Sequence, residues 1–201
     1  MGTKLTEHFT VEELTASATA KAKGIANVPT PEHLANMKYV CEKILEPVRK
    51  HFGKPVKINS SYRCPALNVA VGGSKTSQHV NGQAIDFEII GISNKVVADW
   101  VAENCEFDQV ILEFFIEGDN NSGWVHASIK KEGGNRKQKL IARKNGKSTQ
   151  YLPTNDFDPN DEWKKFVAED VKPATSSADA NKSLSKAAED VVNGLFAKIL
   201  K

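Results

Sequence analysis

Cysteine is scarce in this chain. Cys41, Cys64 and Cys105 are the only three, an odd number at wide spacings with no CxxC pair. That argues against a disulfide framework and against a cysteine-built metal site, and it suits a chain made in a reducing cytosol. Long apolar runs are also lacking. No stretch reaches the ~18 residues of a membrane span, and MGTKLTEHF has no apolar core of a secretory signal. MGTKLT fits a loose myristoylation pattern, but that pattern is short enough to arise by chance. Charge of one sign is missing too. Lys+Arg is 27 against Asp+Glu 25, a net of +2, too balanced to point to nucleic acid. No internal repeat is visible. What the chain does have is 40% hydrophobic residues over 201 positions, enough for one compact domain and an appendage.

Thr10-Val-Glu-Glu13 has the form of a capping box and opens a short helix expected to run to about Ala20. Thr30-Pro31 starts a longer one. Leu34, Met37, Cys41, Ile44, Leu45, Val48 and Phe52 give it an apolar face before Gly53 and Pro55 end it. PVKINSSYR reads as a strand running into a loop that presents Arg63, and PALNVAVGG as a short helix. AIDFEI, DQVILEFF and WVHASI alternate or are rich in β-formers, with a helix over Ser93–Asn104 among them. KQKLIARK is expected to be the final strand. This order predicts an α+β fold, with helices packed on one face of a mostly antiparallel sheet.

Past Phe166 the composition changes. Residues 1–168 read as one domain and 169–182 as a polar linker. In 183–201, Leu184, Ala188, Val191, Val192, Leu195, Ile199 and Leu200 fall on one stripe of a C-terminal helix. Such a stripe needs a partner. Self-contact, either on the domain or between chains, is the expected one. Lys182, Lys186, Lys198 and Lys201 also suit an anionic membrane surface, while Glu189 and Asp190 oppose it.

The chemistry concentrates in two segments. SQHVNGQAIDFEI sets His79 six residues ahead of Asp86, with Gly82 allowing a tight turn and Ala84 leaving room. Asp86 lies on a strand whose Ile85 and Phe87 point the other way. GWVHASI supplies His126 on the face shared with Trp124 and Ser128. A histidine and an aspartate at this spacing are common, so the specificity lies in the ensemble. Two imidazoles and a carboxylate suit Zn²⁺, and three protein ligands leave a fourth position for water, the pattern of a catalytic site. His8, His33 and His51 have ordinary readings, His51 as a cation at a helix C-terminus.

INSSYRCPALNVAVGG, SQHVNGQAIDFEI, FDQVILEF and GWVHASI, in this order, resemble the zinc D-Ala-D-Ala carboxypeptidase family of peptidoglycan peptidases, which includes bacteriophage endolysins and shares its fold with the Hedgehog signalling domain. The resemblance spans roughly Leu5 to Arg143. It implies a zinc peptidase acting on the peptidoglycan stem peptide, with His79, Asp86 and His126 as zinc ligands. It also implies that Arg63 binds the substrate or polarises its carbonyl and that Ser77 and Trp124 lie at the substrate. Many members carry an acid three residues before the last histidine, where this chain has Gly123. The subgroup most like it has a glutamate at the place of Glu113, which makes Glu113 the expected general base; Glu117 and Asp119 are the alternatives. The expected setting is synthesis in a host cytoplasm and action at the bacterial cell wall, as a lysis enzyme or with a virion. The rival expectation is a binding or structural virion module without turnover, for which Gly123 is the best argument.

Overall fold

A computed structural model describes residues 2–158. The expected linker 169–182 and helix 183–201 lie outside the described residues. Within them the fold is α+β, and a sheet of six strands organises it: β1 (Lys57–Ser60), β2 (Ala84–Glu88), β3 (Gln109–Glu113), β4 (Trp124–Ser128), β5 (Gln138–Asn145) and β6 (Ser148–Pro153). The order across the sheet is β1-β2-β4-β3-β5-β6. Every neighbouring pair is antiparallel except β3 with β5.

The opening helix is shorter than its capping box suggests. Thr10 and Glu13 cap each other at the start of α1 (Val11–Thr15), but Ala16 turns extended. Ser17 then takes the amide of Ala20 and starts α2 (Ala18–Lys23). A serine that bonds the backbone locally competes with helix continuation, so one expected helix becomes two. The long helix is present as α3 (Pro31–Val40) and α4 (Glu46–Phe52), joined by a π-helical turn over Cys41–Leu45. Pro47 explains that turn: it has no amide to donate and its ring crowds the carbonyl one turn back, so the ladder widens there. The short α5 (Pro65–Ala70) and the longer α6 (Asn94–Asn104) complete the set.

Alternation decides which face of the sheet is covered. Ile85, Phe87, Val110, Leu112, Val125 and Ala127 point to one side, where they pack with Met37, Ile44, Leu45, Val48, Val97 and Val101. Each of these apolar side chains is almost fully buried, which contributes about 1.5–3 kcal/mol apiece for the larger ones. The opposite face carries Asp86, Glu113 and His126 and opens into a cleft.

The sheet extends one strand beyond expectation. KQKLIARK is not the last strand, because Asn145 pairs with Ser148 across a two-residue turn and β6 returns along β5. Gly146 takes a positive φ of 59° there, the conformation that favours glycine in tight hairpins.

Candidate metal centre

Asp86 sits in the middle of β2, directly opposite His126 on β4. Cross-strand partners share a face, so this register alone brings carboxylate and imidazole together: His126 Nδ1 is 2.8 Å from Asp86 Oδ1. His79 arrives by a different route, on a single 3₁₀ turn (Gln78–Asn81) ended by Gly82 at φ 68°. A Cβ on Gly82 would come within 2.7 Å of the His33 carbonyl oxygen. The turn therefore packs against α3 only with glycine there, which fixes where His79 stands.

The hydrogen bonds orient the ring. His79 Nδ1 lies 2.6 Å from the Ser61 carbonyl, and a carbonyl can only accept, so Nδ1 carries the proton. Nε2 then faces Asp86 Oδ1 at 3.3 Å. Burial first of all lowers the pKa of His79, with Asp86 opposing, so the ring is neutral and Nε2 offers a lone pair. Burial alone would raise Asp86, but its two imidazole neighbours, His79 and His126, hold it well below the usual carboxylate range. A bare nitrogen thus faces an ionised oxygen, an arrangement that a cation between them satisfies.

All three side chains are buried. Their ligand atoms lie within 4.8 Å of one another, and they form the only such group among the described residues. A tetrahedral zinc with ligands at about 2.0–2.2 Å keeps its ligand atoms about 3.3–3.6 Å apart, so the donor set and its span fit this ion. Ser61 supplies the outer hydrogen bond that metal-binding histidines ordinarily make.

Arg63 stands beside the group. Its Nη2 donates to Asp86 Oδ2 at 2.6 Å and its Nε to Ser60 Oγ at 2.8 Å. It lines the cleft with Ser77 and Trp124, while one terminal nitrogen makes no hydrogen bond among the described residues. The cleft holds about 810 Å³, in the range of small-molecule and peptide sites.

The Glu113 side chain also lines this cleft. Glu113 pairs with Trp124 across β3 and β4, one row along from Ile111 and His126. Burial, and then the negative charge of Asp86, push its pKa up, against the charges of His126 and Arg63. The Trp124 indole favours the charged form from close by, though its buried Nε1 makes no hydrogen bond among the described residues. A carboxylate raised in this way is a stronger proton acceptor than an ordinary one. Glu117 and Asp119 are placed elsewhere. Glu117 is exposed and pairs with Lys95 at 3.2 Å, Asp119 accepts the amide of Asn121 in its own turn, and neither lines the cleft.

Two contributors were not expected from the sequence. The Ser61 carbonyl acts through its backbone, which no side-chain pattern signals. Tyr151 comes from β6, at the edge of the sheet away from β1, and lines the cleft; the Asn145-Gly146 pair was the available signal for that hairpin.

No curated protein matches the chain. The family profile described as Peptidase M15 matches residues 7–128, from just before α1 to the end of β4. That stretch contains Arg63, Ser77, His79, Asp86, Glu113, Trp124 and His126, and it leaves out β5 and β6. Peptidases of this family are zinc-dependent, in accord with the donor set above. With the metal-ligand group, the cleft and a match over more than half of its length, the chain belongs to the peptidase M15 family.

Proposed function

We propose that this protein is a zinc metallopeptidase that hydrolyses a peptide bond in the peptidoglycan stem, at the D-Ala-D-Ala position as a carboxypeptidase or at an L-Ala-D-Glu or crossbridge bond as an endopeptidase. It acts at the bacterial cell wall as a phage-type lysin. The observation that carries this reading is the Asp86–His126 cross-strand pair, completed by His79, in the same open cleft as the half-buried Glu113. His79, Asp86 and His126 would hold the zinc. When bound, it supplies a Lewis acid that lowers the pKa of a water and polarises a carbonyl.

The protein's own groups divide the remaining work. Glu113 accepts the proton of the attacking water and returns it to the leaving amine, two tasks that a raised carboxylate pKa serves. Arg63 orients Asp86 by donating to its Oδ2. Its remaining donor is directed to the oxyanion that develops on the scissile carbonyl. Ser77 and Trp124 line the cleft where the stem peptide lies.

A non-catalytic module on this fold draws support from Gly123 in place of an acid. Glu113, on the neighbouring strand and in the cleft, favours the catalytic reading. Mass spectrometry of muropeptides released by the purified protein tests it and names the bond. A defined set of new termini is expected. Intact muropeptides from zinc-loaded, folded protein would refute the proposal.

A further inference from the structure

The strand register continues the site past the family-matched residues. Trp124 on β4 pairs with Glu113 on β3, Glu113 with Ala142 on β5, and Ala142 with Tyr151 on β6. The four make one row across the cleft face. Its third member is an alanine with no exposed surface. Tyr151 is 51% exposed, lines the cleft, and its hydroxyl makes no hydrogen bond among the described residues.

The hairpin that carries it is fixed to the floor of the cleft. The Phe114 amide donates to the Ala142 carbonyl at 2.9 Å. Lys144 Nζ sits 4.6 Å from the centre of the Phe114 ring, which in turn meets the Trp124 ring at 5.2 Å. At the other end of β5, Arg136 is clamped on Asp108. The backbone that carries the Tyr151 ring is thereby fixed at the cleft, so a ligand need order only the side chain and not the strand.

We propose that the β5–β6 hairpin is the specificity wall of the cleft and that Tyr151 is its substrate-contacting residue. Its ring packs on the stem peptide and its hydroxyl donates to a carbonyl or carboxylate oxygen of that peptide. Burial, together with the negative charges of Glu113 and Asp86, raises the phenol pKa, so the group stays a donor through the neutral and mildly alkaline range. The inference rests on the peptidase reading, and the test separates the two.

The full-length, zinc-loaded protein is compared with Tyr151→Phe, Tyr151→Ala and Leu152→Ser on a purified muropeptide. Leu152 adjoins Tyr151 but points to the opposite face of the strand, so it controls for damage to the hairpin. Tyr151→Phe should raise KM about three- to ten-fold, the effect of one lost hydrogen bond, with kcat within about two-fold. Tyr151→Ala should raise KM further, and Leu152→Ser should leave it unchanged. A KM for Tyr151→Ala within about two-fold of wild type, or an equal rise in Leu152→Ser, overturns the proposal and leaves the peptidase reading intact. Calorimetric binding of the same muropeptide covers the converse. If wild type binds without cutting, the peptidase reading falls, and weaker binding by Tyr151→Ala still supports the contact while unchanged binding removes it. A wild type that neither binds nor cuts overturns both.

Discussion

Gly123 has no space for a side chain because Glu113 is its neighbour: a Cβ on Gly123 would overlap the Glu113 carbonyl oxygen, and its φ is 64°. The position three residues before His126 is therefore closed to an acid in this chain, and the carboxylate of the cleft comes from the adjacent strand instead. Restoring an acid with Gly123→Glu should not supply a second base. Backbone strain and overlap together should lower stability by about 2–4 kcal/mol. Thermal melting checks this, and a variant that melts within a degree of wild type would contradict the crowding seen here.

Glu113→Gln tests the proposed base. Glutamine keeps the size and sits in the same half-buried place, but it accepts no proton. The variant should fold, bind zinc as wild type does, and lose turnover by at least about a hundredfold. Near-normal rates with full metal content would remove Glu113 from proton transfer.

The metal site has its own readout. Purified protein should carry about one zinc per chain, and chelation should lower the melting temperature as well as abolish activity, because the ion binds the folded state alone. His79→Ala should lose metal and activity. Full zinc occupancy in a His79→Ala, His126→Ala double variant would dismiss the assignment.

Much of this site was legible in the chain. Period-two alternation in AIDFEI, VILEF and WVHAS decides which residues face the core, so the faces of Asp86, Glu113 and His126 followed directly. A carboxylate inside an apolar strand, Glu113, stood out for the same reason. Tyr151 did not stand out, because β6 is an edge strand. Its residues Ser148 to Pro153 are mostly exposed, and without a buried face no alternation marks them. The break at Ala16 depends on a single Ser17 hydrogen bond, and the π-helical turn depends on how the ladder relaxes around Pro47. Such local choices between nearly equal conformers leave little trace in composition.

Asp108 gives a stability prediction at acid pH. It is fully buried, and Arg136 grips it with Nε at 3.0–3.1 Å and with its backbone amide at 2.8 Å. Burial alone would raise its pKa, but hydrogen bonds from Arg136 and the charges of Arg136 and Lys130 bring it down to about 2. A pKa lower in the folded state than in the unfolded chain stabilises the fold above the unfolded value of 3.8, and that contribution disappears as pH falls toward 2. Asp108→Asn should cost about 1–2 kcal/mol at pH 7 and progressively less below pH 4. Urea unfolding at several pH values measures it. A cost independent of pH would mean that shape, and not charge, holds this corner.

Asp99 behaves in the opposite sense. It lies on α6 with only 1% of its surface exposed, and its Oδ2 has no hydrogen-bond partner among the described residues. Burial first, then the charges of Asp156 and Glu103, raise its pKa to about 6. A carboxyl group raised above its unfolded value of 3.8 stabilises the fold below that value, and the stabilisation is lost as pH rises through about 6. At pH 8 the folded protein therefore holds a buried negative charge beside another carboxylate. Asp99→Asn keeps the shape, removes the charge and offers an N–H to Asp156. It should raise stability by about 1–2 kcal/mol at pH 8, since a pKa shift of this size converts to that order of free energy. At pH 4, where wild-type Asp99 is already protonated in the fold, the two proteins should melt together. Paired melting curves at pH 4 and pH 8 decide it. A stabilisation equal at both values would assign the effect to hydrogen bonding alone, and a loss at pH 8 would show that the Asp99 charge has a cationic partner and supports the fold.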